Sequence, residues 1–321
     1  MKKIISLVVL GITLMAFSTT IFASGLDEKP YEIKTVSIHN GICTLYGTLL
    51  MPVNAEKPPV VLFISGSGPT DRDGNRPFAQ NNSIKFLAEG LAERGVASLR
   101  YDKRGIAESK STQPEADLTF DDFIEDPMLW LKYLKEENKF SSVFVAGHSE
   151  GSLLGIVAAY RVGIDGCISL AGTGRRIDKV LLEQLSVYPE PFVNASKIIL
   201  DSLLMGERVK NVPPMLNALF RPSIQPYFIS WLKYDPAEEF GKLTIPTLVV
   251  QGTTDIQVPV KDAEILHEAN PNSKLVIIEG MNHVLKEADA ERNKNMETYT
   301  NPNLPVVEEL VNAVASFIIE N

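Results

Sequence analysis

The chain is short of cysteine, of histidine and of positive charge, and each shortage narrows what the protein can be. Two cysteines, Cys43 and Cys167, in 321 residues leave room for at most one disulfide. A formal net charge of −9 argues against a nucleic-acid partner, whose affinity comes from Lys and Arg neutralising phosphates. After the N-terminal apolar run, no segment is long enough to span a membrane, which takes ~20 apolar residues. No internal repeat or low-complexity tract is visible. The four histidines are His39, His148, His267 and His283, so imidazole chemistry has few candidates.

What is present begins with Lys2-Lys3, the apolar run Ile4 to Phe17, and Ala23 at a plausible cleavage site. This pattern reads as a secretory signal peptide over residues 1–23, and places the protein outside the cytoplasm, secreted or periplasmic. The alternative is an uncleaved N-terminal anchor, for which the run is short. No cysteine stands near the cleavage site to carry a lipid. Residues 24–321 suit one large α/β domain with an insertion, or two small domains.

Tyr31 to Ile38 and Cys43 to Met51 read as a hairpin turning at Asn40-Gly41. Val60 to Ile64 is a continuous apolar strand, as expected for burial on both faces. A helix over Ser83 to Arg94 follows, with Asn82 as N-cap and Gly95 as stop. Then come a strand (Val96 to Leu99), a helix (Phe120 to Lys135), a strand (Ser142 to Ala146), a helix (Ser152 to Tyr160) and a strand (Cys167 to Ala171). This alternation predicts a mainly parallel sheet with helices on both faces and its site at the carboxyl ends of the strands. From Gly172 to Gly241 the rhythm breaks into helical patterns, Val180 to Leu185, Ala195 to Met205 and Pro214 to Leu219. Residues 172–241 are read as a helical cap inserted between core segments 24–171 and 242–321. An elaborated crossover away from the site is the alternative. The core rhythm resumes with Thr247 to Val250, Val260 to Ala269, Leu275 to Ile278 and Pro305 to Ile319.

One pentapeptide organises these elements. Gly147-His148-Ser149-Glu150-Gly151 sits between the Ser142 to Ala146 strand and a helix, the setting of a G-x-S-x-G nucleophile elbow. With 21 glycines the bare pattern is weak; its strand and helix make it strong. A serine hydroxyl needs a base to take its proton. His283 alone follows a predicted strand in a loop, whereas His39 lies in the hairpin, His148 adjoins the serine and His267 is mid-helix. Asp255 follows the preceding strand and is the candidate to orient His283; alone, it would read as a turn or N-cap aspartate. Charge developing on a carbonyl oxygen calls for two backbone donors. The N–H groups of Glu150 and Ser67 are the candidates, with Gly66 second to Ser67.

Gly66-Ser67-Gly68-Pro69-Thr70-Asp71-Arg72-Asp73-Gly74-Asn75, Arg100-Tyr101-Asp102-Lys103-Arg104-Gly105, the pentapeptide, Ile245 to Asp255 and Asn282-His283 together resemble the α/β-hydrolase superfamily. Within it the chain looks most like the bacterial branch of esterases and serine-aminopeptidase-like hydrolases. The resemblance implies an eight-stranded, mainly parallel sheet in the order 1-2-4-3-5-6-7-8. Cys43 and Cys167 would then lie several strands apart at ~4.8 Å each, too far for a disulfide and consistent with two buried free thiols. Ser65 departs from the histidine that many relatives carry before the glycine. Asp71-Arg72-Asp73 either binds substrate or forms internal ion pairs that hold the Gly-rich loop; Asp102 and Arg104 are expected to brace the same rim.

The implied activity is hydrolysis of esters with small or medium acyl groups, through an acyl-enzyme and without metal or organic cofactor. The rival is an amidase or aminopeptidase, which needs a carboxylate for the substrate ammonium; Glu183, Glu190 and Glu207 are available in the expected cap. A binding protein on a disabled scaffold predicts a damaged Ser149, Asp255 or His283, and none is substituted.

Overall fold

Every residue of Val60-Val61-Leu62-Phe63-Ile64 is buried, because this strand lies inside the sheet with helices on both faces. The computed structural model describes residues 29–321, so the expected signal peptide lies outside the described residues. The strands are β1 (Tyr31–His39), β2 (Thr44–Pro52), β3 (Val60–Ile64), β4 (Ala97–Tyr101), β5 (Val143–His148), β6 (Gly166–Leu170), β7 (Thr247–Gly252) and β8 (Lys274–Ile278). They form one sheet in the order β1-β2-β4-β3-β5-β6-β7-β8. β1 pairs antiparallel with β2, and β2 antiparallel with β4; all other pairings are parallel.

The helices are α1 (Ser83–Glu93), α2 (Phe120–Glu136), α3 (Glu150–Val162), α4 (Ile177–Leu185), α5 (Glu190–Leu204), α6 (Asn217–Phe220), α7 (Gln225–Trp231), α8 (Pro236–Phe240), α9 (Val260–Ala269), α10 (Arg292–Glu297) and α11 (Glu308–Glu320). Strand side chains alternate between faces. Val60, Leu62 and Ile64 therefore join Trp130 of α2 and Leu153 of α3 on one face. Val61 and Phe63 join Leu87 of α1 and Phe317 of α11 on the other. Full burial of each large apolar side chain contributes ~1.5–3 kcal/mol, so the sheet is clamped from both sides. None of the described helices is long and apolar enough to cross a membrane.

Several boundaries differ from expectation for identifiable reasons. β5 runs on to His148, because Gly147 and His148 continue the ladder against Ser169 and Leu170 of β6. With α3 starting at Glu150, the whole turn is left to Ser149. Asn82 stands at the N-cap of α1 but in a left-handed conformation, φ 55°, and its side chain caps nothing. The Asp73 carbonyl accepts from the Ile84 and Lys85 N–H groups instead, at 3.1 and 3.4 Å, so the Gly-rich loop caps the helix. α5 begins at Glu190, ahead of the apolar pattern at Ala195, since Pro191 suits a first turn whose N–H groups lack helical partners. α10 escapes sequence reading because Arg292 to Glu297 has little apolar periodicity. Cys43 lies one residue before β2; both cysteines are free and buried, and β4, β3 and β5 stand between β2 and the Cys167 strand, β6.

Candidate active site

The turn at Ser149 has φ 55° and ψ −120°, a conformation that costs an ordinary residue ~1–3 kcal/mol. The strain is held from outside. Ser149 N–H donates to the Leu170 carbonyl at 2.9 Å, tying the elbow to β6. A methyl group on Gly147 would overlap the Gly151 carbonyl, and one on Gly151 would overlap the Ile64 carbonyl, so both flanks must be glycine. The hydroxyl is thereby presented at the carboxyl end of the sheet.

The loops after β7 and β8 bring two further groups to it. His283 Nε2 lies 3.1 Å from Ser149 Oγ, and His283 Nδ1 lies 2.7 Å from Asp255 Oδ2. The Asp255 carboxylate also accepts from Gln251 Nε2 at 3.0 Å and, through Oδ1, from the N–H groups of Gln257 at 2.7 Å and Val258 at 2.9 Å. Burial alone would raise its pKa; His283 and these backbone donors outweigh burial and hold it below the usual carboxylate range. Asp255 is therefore an anion that fixes an Nδ1–H tautomer on His283 and leaves Nε2 free to accept the serine proton.

The Gly-rich loop after β3 lies against the elbow. A Cβ on Gly66 would come within 3.1 Å of His148 Nδ1 and 3.3 Å of Ser149 Cβ. Ser65 Oγ donates to the Asp71 carbonyl at 2.6 Å, and Thr70 Oγ1 to the Ser67 carbonyl at 2.9 Å. Asp71 Oδ1 accepts from the N–H groups of Asp73 and Asn75, both at 2.9 Å. Arg72 binds Asp102 through Nη2 at 2.6 Å and through its own N–H at 2.9 Å, and it also pairs with Glu108. Asp73 faces Arg100 at 3.3 Å. The charged triplet is thus engaged in internal pairing. Arg104 pairs with Asp126 at 2.7 Å and Asp122 at 2.9 Å, bracing the loop after β4 against α2.

Three contributors were not anticipated from sequence. His148 reaches the His283 loop: its Nε2 lies 2.7 Å from the His283 carbonyl. Burial, then the neighbouring His283, pushes its pKa down to about 3, so the ring is neutral and Nε2–H donates. Asn282 is fully buried; it donates to Asn295 Oδ1 at 3.1 Å and Thr298 Oγ1 at 2.7 Å, anchoring the His283 loop to the α10 segment. Lys103 is buried beside Glu150 at 3.6 Å and donates to the Gly66 carbonyl at 2.5 Å. The legible signal for Lys103 was a charged triplet directly after a strand; for His148 and Asn282 it was adjacency to the site residues.

Two cavities flank the elbow. A narrow one of about 70 Å³ holds Ser149 and His283 and is walled by Ser67, Gln257 and Tyr299. A wider one of about 480 Å³ opens on the other side of the loop, between Gly68, Lys103, Glu150 and Phe123 of the core and Ile224 and Tyr227 of the helical segment. The narrow cavity holds the Ser149–His283 pair, and the walls of the wider one are mainly apolar. Glu183, Glu190 and Glu207 line neither; Glu183 is instead paired with Arg175.

A family model described as "Serine aminopeptidase, S33" matches residues 81–213. Esterase EstD of Thermotoga maritima is 33% identical over 265 residues, covering 81% of this chain and 61% of that protein. Est1E of Butyrivibrio proteoclasticus, solved with ferulic acid bound, superposes with a TM-score of 0.60 at 23% identity, over 89% of this chain and 98% of that one. The chain has the α/β-hydrolase fold. A proline iminopeptidase of Mycobacterium smegmatis also superposes, with a TM-score of 0.55 at 16% identity over 89% of this chain and 98% of that one. Ester-cleaving and peptide-cleaving members thus share the fold, and the fold alone does not choose between them. The chain spans 61% of the length of EstD.

Proposed function

We propose that the protein is a serine hydrolase that cleaves carboxylic esters of small or medium acyl groups. The observation that carries this reading is the line Ser149, His283, Asp255, with separations of 3.1 and 2.7 Å. In the reaction, Ser149 Oγ bonds to the ester carbonyl carbon while its proton passes to His283 Nε2. The carbonyl oxygen takes the negative charge, facing the N–H groups of Ser67 and Glu150. Collapse of the tetrahedral species breaks the bond to the alkoxy group, which leaves as an alcohol with the proton from Nε2. Water repeats the sequence on the acyl-enzyme, His283 again taking and returning a proton, and the carboxylic acid leaves. Asp255 stays ionised throughout and stabilises the imidazolium.

An ester substrate is favoured over an aminoacyl amide by the surroundings. A substrate ammonium needs an unpaired carboxylate near the bond to be cut, and the two carboxylates that line the wider cavity are engaged. Glu150 faces Lys103, and Glu115 pairs with Arg221. Residues 172–241 act in this reading as a cap, with Ile224 and Tyr227 shaping the acyl site. The N-terminal pattern at residues 1–23 supports export. The purified protein is expected to hydrolyse p-nitrophenyl acetate and butyrate, and Ser149→Ala to lose on the order of 10³-fold or more of that rate. Equal rates for the two proteins would refute the assignment of the nucleophile.

A further inference from the structure

Lys103 is unusual for a lysine: its side chain is 3% exposed, and so is that of Glu150 beside it. A cation in such a place needs partners, and it has two, the Gly66 carbonyl at 2.5 Å and Glu150 Oε1 at 3.6 Å. Both partners belong to the elements that supply the oxyanion donors. The Gly66 carbonyl and the Ser67 N–H are the two ends of a single peptide unit. The described chain contains no cis peptide, and in a planar trans unit C=O and N–H point in opposite directions. With its carbonyl drawn to Lys103, this unit must aim the Ser67 N–H the other way, and Gly66 itself packs against the elbow, where a Cβ would come within 3.3 Å of Ser149 Cβ. The Ser67 N–H meets no protein acceptor among the described residues, while the Ser67 carbonyl is held by Thr70 and Arg76.

Left to itself, the peptide would not keep this orientation. Gly66 has no side chain to restrict rotation, and glycine tolerates backbone states closed to other residues. Glu150 occupies the first position of α3, so its own N–H has no partner within the helix and is the second donor. We infer that Lys103 is a positioning residue of the oxyanion hole, pinning the Gly66 carbonyl so that the Ser67 N–H faces the reacting oxygen, with Glu150 fixing the lysine. One buried pair thereby sets both donors, and Tyr227 of α7, beside the Glu150 carboxylate, connects them to the acyl cavity. The inference rests on the proposed role of Ser149.

The experiment compares Lys103→Met with the unaltered protein on a matched pair of substrates, an oxoester and the thionoester with sulfur in place of the carbonyl oxygen. Sulfur is a weak hydrogen-bond acceptor, so an intact oxyanion hole favours the oxoester. The variant is expected to lose about tenfold to a hundredfold in oxoester kcat, less than the full loss of a donor, with KM nearly constant and the oxo-to-thiono rate ratio collapsing. A lysine that serves only stability lowers both rates together and leaves the ratio unchanged, which would overturn the inference. Lys103→Met with Glu150→Gln removes the unpaired buried charge that threatens folding of the single variant, and the same ratio is read in it. Ser149→Ala separates the two levels. If it keeps the parent rate, the proposed function and this inference fall together. If it is inactive and the ratio in a folded Lys103 variant is unchanged, the inference alone falls.

Discussion

The carboxyl end of the sheet and the helical segment from α4 to α8 are built in opposite ways. At the sheet end, Ser149 is held by a backbone bond to Leu170, Asp255 by four donors, and the His283 loop by His148 and buried Asn282. The helical segment instead carries exposed apolar side chains, among them Val187, Ile198 and Met205, the last 77% exposed. It reaches the wider cavity around the start of α7, through Arg221, Ile224 and Tyr227. In the proposed reaction, bond-making falls to the rigid, hydrogen-bonded backbone and the fit of the substrate to replaceable side chains. Tight geometry is needed where atoms react, whereas an apolar pocket discriminates through contact area.

The hardest test of this division is Asp255→Asn. The amide favours the wrong tautomer of His283, and kcat should fall on the order of 10³–10⁴-fold while thermal unfolding shifts little; steady-state kinetics beside a melting curve read both. Gly151→Ala attacks the scaffold instead. The added methyl runs into the Ile64 carbonyl, so a loss of about 3 kcal/mol or more is expected in denaturant unfolding, with activity lost through misfolding.

Acid probes the sheet end more gently. Folded His148 stays neutral to about pH 3, whereas the unfolded imidazole protonates near its ordinary value of 6.5. The unfolded chain therefore binds more protons between these limits, and stability falls as pH drops through the window. The ring adjoins His283, Asp255 and Arg76 and keeps some exposure, so the slope from this group should stay below about 1.4 kcal/mol per pH unit. A melting temperature that holds steady from pH 6.5 to 4 would contradict it. The smallest effect belongs to the helical side. Ile224→Ala should change kcat/KM for longer acyl esters by up to about tenfold and leave acetate hydrolysis within about threefold. A uniform fall across chain lengths would break the comparison by tying Ile224 to the chemistry.

The sheet end was legible in the amino-acid order because its signals are local. An apolar run such as Val60 to Ile64 can only be a doubly covered strand once helices flank it, and a serine between glycines after such a strand has one plausible turn. His283 and Asp255 were found by their position after strands, and the structure brings both to Ser149. The carboxylates considered for an ammonium site, Glu183, Glu190 and Glu207, fell away from the cavities, because charge and helical spacing do not say which helix face meets the core. Lys103 and His148 were missed for a related reason: their partners, Gly66 and His283, are 37 and 135 positions away.

By itself the sequence determined the alternation of strands and helices, the elbow at Ser149 and the order in which its partners arrive, since these depend on neighbours within a few residues. Only the tertiary structure decided that His148 supports the His283 loop, that the Asp71-Arg72-Asp73 triplet pairs inward, and that Lys103 grips the Gly66 carbonyl. Those contacts join separate loops, and a buried charge or peptide takes its partner from whatever the folded sheet brings within hydrogen-bond reach.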